Sequence, residues 1–97
     1  MASISKTAQA GTLESSDVMI TVTPGAKDSG IVIEVESIVL AQYGEDIKAI
    51  LLSTVQKQDI TDIYIKAVDR GALDCTICAR LLAALSRAGA VLKEEML

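Results

Sequence analysis

Residues 31–67, IVIEVESIVLAQYGEDIKAILLSTVQKQDITDIYIKA, read as a strand, a helix and a second strand. Ile31, Ile33 and Val35 alternate with Val32, Glu34 and Glu36, the period of a strand with one buried face. Ser37 follows as a candidate helix cap, because its hydroxyl can accept from an orphan N–H of the first turn. Beyond it Leu40, Tyr43, Ile47, Ile50, Leu51 and Val55 recur at spacings of three and four. Glu45, Lys48, Gln56 and Lys57 fall largely between them, as an amphipathic helix requires. Gly44 inside this helix reads as a tolerated packing glycine, costing about 1 kcal/mol relative to Ala; a break there is the alternative. Ile63, Ile65 and Ala67 then alternate with Asp62, Tyr64 and Lys66 in another strand. A strand–helix–strand link calls for parallel pairing through a right-handed crossover.

Working outward, Val18, Ile20 and Val22 alternate with Met19, Thr21 and Thr23 in a half-buried strand ended by Pro24-Gly25. The turn residues Lys27-Asp28-Ser29-Gly30 join it to the strand at Ile31, which predicts an antiparallel hairpin. On the far side, Asp69-Arg70-Gly71 is a turn. Leu73, Ile77, Leu81 and Leu85 then step by four and Ala88 follows at three, widened by Leu82 and Ala84, and Gly89 closes a second helix. Residues 1–16 are small and polar without a sustained period and read as a mobile arm or a surface loop. The predicted fold is α+β: a small mixed three-stranded sheet in β-β-α-β-α order with both helices on one face. Residues 1–16 form the arm and residues 17–97 the single domain.

Composition excludes whole classes of chemistry. The 97 residues are 51% hydrophobic but only 2% aromatic, so the core is aliphatic. With no His there is no Ser-His-Asp triad, no Cys-His pair and no imidazole acid–base catalyst. Two Cys cannot fill a zinc site, so no metal and no catalytic residue is expected. A net charge of −4, with neither Phe nor Trp, argues against a nucleic-acid partner. No apolar run approaches the ~18 residues of a membrane span, and residues 1–12 lack the apolar core of a signal peptide. A cytoplasmic chain with reduced thiols is expected.

Three features could carry chemistry. Cys75 and Cys78 stand at i, i+3 near the start of the second helix, where a helix N-terminus can activate a thiol. Flanked by Ile77 and Leu81, they read instead as packing, with slow alkylation expected of Cys75. Glu34 and Glu36 share a strand face, and paired carboxylates do acid–base work only where a pocket splits their pKa values; a solvated face is the reading here. The scattered acidic residues serve either solubility or docking of a basic partner. The loop Gly11-Thr12-Leu13-Glu14-Ser15-Ser16-Asp17 is the third. Its serines have no histidine to activate them as nucleophiles. To accept a group installed by another enzyme, a serine needs only exposure and an accommodating backbone, which the loop supplies; on residue types alone a plain linker is the favoured reading.

The run Ala10-Gly11-Thr12-Leu13-Glu14-Ser15-Ser16-Asp17-Val18-Met19-Ile20 resembles the acyl carrier (gamma) subunit of citrate lyase. So do Arg70-Gly71-Ala72-Leu73-Asp74-Cys75 and Ala79-Arg80-Leu81. The likeness covers most of the chain, dense at 10–20 and 69–88. It is looser in the first helix, where Gln42-Tyr43-Gly44 resembles the family's Gln-aromatic-Gly. The resemblance implies a covalently attached 2'-(5''-phosphoribosyl)-3'-dephospho-CoA, joined by a phosphodiester to the serine that follows Thr-Leu-Glu. That serine is Ser15; Ser16, where relatives often carry Gly, is the adjacent alternative. It further implies a non-catalytic subunit that holds acetyl or citryl as a thioester. The implied partners are an alpha subunit that exchanges the acyl group, a beta subunit that cleaves citryl-thioester to oxaloacetate and acetyl-thioester, and a prosthetic-group transferase. Glu14 and Asp17, beside the serine, are candidate recognition residues. The Asp-Ser-Leu signature and all-helical pattern of fatty-acid carriers are absent. The malonate decarboxylase carrier subunit, which uses the same kind of arm, is the neighbouring alternative, disfavoured by Gly71-Ala72-Leu73-Asp74-Cys75. A noncovalent α+β interaction domain is the alternative of another class.

Overall fold

A computed structural model of the chain describes residues 4–37 and 41–91. The elements are β1 (Ala8–Gly11), β2 (Val18–Pro24), β3 (Ile31–Ser37), α1 (Ala41–Lys57), β4 (Ile63–Asp69) and α2 (Asp74–Arg87). They form an α+β fold with one mixed sheet in the order β1-β2-β4-β3. β1 with β2 and β2 with β4 are antiparallel, and β3 with β4 is parallel, as the strand–helix–strand stretch required.

The expected alternation is present in each long strand. Val18, Ile20 and Val22 of β2 and Ile63, Ile65 and Ala67 of β4 are buried, while Glu34, Glu36 and Lys66 are exposed. Both helices cover the buried face: α1 lies against β3, α2 against β1 and β2, and the helices touch each other. Ile47, Leu51 and Val55 of α1 and Ile77, Leu81, Ala84 and Leu85 of α2 fill the space between. These positions repeat at three and four residues, the stripe that an amphipathic helix turns toward a core. α1 continues through Gly44 without a break.

Three expectations are corrected. β2 and β3 do not pair as a hairpin, because β4 lies between them. The link from Gly25 to Gly30 instead crosses the start of β4 and is fastened to it. Gly25 N–H donates to Asp62 O at 3.1 Å, Gly30 N–H to Asp62 Oδ1 at 3.0 Å, and Ile63 N–H to Gly30 O at 3.2 Å. Two inter-strand spacings are roughly 10 Å, well within the reach of six residues. β4 takes the inner position because its face toward the helices is fully buried. β3, with exposed carboxylates at Glu34 and Glu36, is suited to an edge.

The sheet has four strands rather than three. Residues 8–11, assigned to the mobile arm, form the edge strand β1, with Ala10 buried. The chain reaches it along α2: Ile4 is buried and Ser5 N–H donates to Ala88 O at 2.9 Å. Arg87 Nη1 donates to Gln9 O at 2.8 Å, satisfying an outer carbonyl of the edge.

A cap by Ser37 would act on residues 38–40, so that expectation lies outside the described residues, as do Leu40 and the Tyr43 side chain. Ser37 ends β3, and its hydroxyl donates to Asp69 Oδ2 at 3.0 Å on the neighbouring strand. Leu73 is not part of the buried stripe of α2, since it occupies the N-cap and is 71% exposed. The other end of α2 closes as expected at Gly89, whose φ is +103°. Gly89 N–H donates to Ser86 O and Ala90 N–H to Leu85 O, the paired bonds of a Schellman ending.

Candidate functional site

The loop Thr12–Asp17 joins β1 to β2 at one end of the sheet, and Ser15 is exposed at its tip. Asp17 N–H donates to Glu14 O at 3.2 Å, closing a four-residue turn with Ser15 and Ser16 at its centre. Ser16 has φ +64°, the left-handed conformation that the third position of such a turn requires when it closes in type II fashion. Two backbone bonds pin the turn to the segment after β4: Ser16 N–H to Arg70 O at 2.8 Å and Arg70 N–H to Asp17 O at 2.9 Å. The backbone of Ser16 is therefore held, and the neighbouring Ser15 is carried outward.

Asp17 organises the rest of the loop. Its Oδ1 accepts from Val18 N–H at 2.7 Å and from Arg80 Nε at 3.1 Å. Its Oδ2 accepts from Thr12 Oγ1 at 2.7 Å and from Arg80 Nη2 at 2.9 Å. The Thr12 oxygen in turn accepts from Glu14 N–H at 3.2 Å. One carboxylate thus ties the first residue of the loop to the first residue of β2 and to the middle of α2. The Thr12 hydroxyl, then Arg80, then the Val18 N–H hold the Asp17 carboxyl at a pKa of about 2, against 3.8 ordinarily.

Gly11 makes this closure possible. Its φ is +99°, and a Cβ there would meet Val18 O at 1.8 Å and Arg80 Cδ at 3.3 Å. No side chain fits between β1, β2 and the arginine stem.

Of the two acids read as recognition residues, the structure separates the roles. Glu14 is exposed beside Ser15, whereas the Asp17 side chain is only 13% exposed and faces Arg80. Arg80, which holds the Asp17 carboxylate, is not marked by any local sequence pattern, because its partner is 63 residues away. Glu34 and Glu36 are exposed, as a solvated face predicts, and Glu34 accepts from the Tyr64 hydroxyl across the strands. The cysteines divide: Cys78 is half-buried with its sulfur 3.7 Å from Thr54 Oγ1, but Cys75 is exposed. Packing therefore does not account for Cys75, which lies in the exposed first turn of α2 beside the exposed Leu73 and Asp74. Between α1 and α2 an open cleft of about 660 Å³ is lined by Ile47, Ile50 and Ile77 and by Asp46, Asp69 and Asp74. Among the described residues no cluster of side chains suits a metal ion, and no helix is long and apolar enough to cross a membrane.

An exposed hydroxyl on a pinned turn, in a chain without histidine, suits a group offered to another protein's active site. Comparison with known proteins shows the family. The family model described as malonate decarboxylase delta subunit (MdcD) matches residues 5–88. The citrate lyase acyl carrier protein of Halothermothrix orenii is 49% identical over 85 residues, 88% of either chain. The chain belongs to the citrate lyase acyl carrier protein family. Another member, from Streptococcus equi subsp. equi, is 48% identical over 88 residues, 91% of this chain and 85% of that one.

Among solved structures, a chain of the Pseudomonas malonate decarboxylase hetero-tetramer in complex with malonate superposes with a TM-score of 0.71. It is 19% identical, over 87% of this chain and 84% of that one, a likeness of fold. Membership of the citrate lyase acyl carrier protein family implies a covalently attached prosthetic group and a place in a multi-subunit complex.

Proposed function

We propose that the chain is the non-catalytic carrier subunit of citrate lyase and that Ser15 bears its prosthetic group, a 2'-(5''-phosphoribosyl)-3'-dephospho-CoA. The observation that carries this reading is the exposure of Ser15 at the tip of a loop whose backbone is fastened on both sides. The residues present suit such a group: attachment through one phosphodiester needs a reachable hydroxyl and room around it, and Ser15 has both. When attached, the group supplies the thiol on which acetyl and citryl units are held as thioesters. The protein's own part is tethering. Residues of the loop hold the attachment point, so that an acyl-exchanging alpha subunit and a citryl-cleaving beta subunit meet the thioester at high effective concentration. Glu14 stands where a prosthetic-group transferase or either subunit would approach. A cytoplasmic location suits the unpaired thiols of Cys75 and Cys78.

Intact-mass analysis with peptide mapping, on protein from cells carrying the whole lyase system, tests the reading. A mass gain is expected in the wild type and in Ser16→Ala and is expected to vanish in Ser15→Ala. A gain that survives Ser15→Ala and vanishes in Ser16→Ala moves the attachment by one residue. No gain, with lyase function intact in Ser15→Ala, defeats the carrier reading in favour of a noncovalent interaction domain.

The description of the matching family model and the fold of the Pseudomonas chain favour a second reading, the carrier subunit of malonate decarboxylase. Exchange of the acetyl group on loaded carrier against citrate, but not malonate, is expected; the reverse result selects the second reading.

A further inference from the structure

We propose that Arg80 is a positioning residue for the modification of Ser15, its guanidinium holding loop Thr12–Asp17, through Asp17, in the conformation that a modifying enzyme accepts. The inference rests on the reading of Ser15 as the attachment point.

Four observations carry it. First, the contact is a two-pronged one: Nε and Nη2 each meet a different oxygen of Asp17, at 3.1 and 2.9 Å. A guanidinium fork matches a carboxylate in this way and fixes its orientation, which an ammonium group cannot do. Second, the same carboxylate holds Thr12 Oγ1 and Val18 N–H, so orienting it sets both ends of the loop. Third, the anchor is rigid, because Arg80 lies between Ile77, Leu81 and Ala84, all buried in the core side of α2. Fourth, Ser16 is held at φ +64°. A non-glycine residue keeps that conformation only where its surroundings over-determine it. Without the fork, the turn keeps its Arg70 backbone bonds and the bonds within the loop, but the Asp17 carboxylate is no longer tied to α2 and the loop samples other shapes.

The Arg80 side chain is 40% exposed, so removing it opens no core cavity. Its loss acts on the loop rather than on the fold. The reaction served is formation of an O–P bond between Ser15 Oγ and the phosphorus of a phosphoanhydride-activated donor. The anhydride P–O bond breaks, its phosphate leaves, and the serine proton passes to a base of the modifying enzyme. Arg80 touches none of these atoms. It raises the fraction of carrier molecules whose serine is presented correctly, and an enzyme that binds only that fraction shows an apparent affinity reduced in proportion when the fraction falls.

The test uses full-length carrier, the prosthetic-group transferase of the same system and its activated donor, with intact mass as the readout. Arg80→Ala is expected to raise the carrier KM about tenfold with kcat little changed. Arg80→Lys, which keeps the charge and loses the fork, falls between. Independently of modification, hydrogen exchange at the Ser16, Asp17 and Val18 amides is expected to quicken in Arg80→Ala, while β4 and the core turns of α2 keep their protection. Should Arg80→Ala fail to fold, Asp17→Asn and Thr12→Val report on the same clamp and are expected to raise KM likewise. Wild-type KM and kcat in folded Arg80→Ala, or unchanged exchange in the loop, overturn the inference. A wild-type chain that gains no mass at Ser15 defeats the functional reading instead, and the exchange result still judges the clamp.

Discussion

Arg80 Nη2 lies 2.9 Å from Asp17 Oδ2, joining the middle of α2 to the start of β2 across 63 residues of sequence. The Thr12 hydroxyl bond to the same carboxylate, then this contact, give the loop a defined response to acid. With the folded pKa of Asp17 held down to about 2 from 3.8, protons bind the unfolded or opened state more readily than the native loop. The contribution is therefore fully present above pH ~4 and is lost as pH falls through ~2. A titration of the Asp17 carboxyl carbon by NMR, with loop amide exchange followed alongside, is expected to show the loop intact at pH 4 and opened near pH 2. A midpoint near 4 would contradict the hydrogen-bond set described.

Ser16 predicts a stabilising substitution. A non-glycine residue in the left-handed region carries a penalty of roughly 1 kcal/mol or more that glycine does not. Ser16→Gly is expected to raise Tm by about 4–8 °C per kcal/mol gained in a domain of this size, while mass gain at Ser15 persists. Ser16→Val, branched at Cβ, is expected to lower it.

Gly11 predicts the opposite. A methyl group there would collide with the backbone oxygen of Val18 at a φ of +99°, and neither atom belongs to a flexible side chain. Gly11→Ala is expected to cost more than ~2 kcal/mol in urea unfolding. Because the collision lies between β1 and β2, exchange protection of β1 falls first.

Cys75 and Cys78 should behave differently toward alkylation in the folded protein. Cys75 is exposed on the first turn of α2, and Cys78 is half-buried against Thr54. Brief treatment with iodoacetamide followed by peptide mapping is expected to label Cys75 well ahead of Cys78, reversing the slow reaction that the flanking Ile77 and Leu81 suggest.

The parts of the fold that could be read from sequence are those written in neighbouring residues. Alternation in Val18–Val22 and Ile63–Ala67, and the four-residue spacing of Ile47, Leu51 and Val55, each encode one buried face locally. Pairing is not local. Nothing in residues 18–36 announces that Ile63–Asp69, 30 residues on, inserts between the two strands, so a short turn-rich link was read as a hairpin. β1 escaped notice because Ala-Gln-Ala-Gly buries little apolar surface and is too short to show a period. Ser15 stood out only by likeness to a family, since its residue type and setting match any polar loop. The Asp17–Arg80 fork was legible in neither way, because each residue has an ordinary solvent-facing explanation in its own element.

The latch between Ser16 and Arg70, and the fork beyond it, also order events in time. A ribosome delivers the serine early and its supports some fifty and sixty residues later. A nascent or truncated chain ending before α2 would carry the hydroxyl without its setting. If the modifying enzyme reads that setting, charging doubles as inspection: only carriers in which α2 has docked are loaded, and unfinished copies never consume the coenzyme.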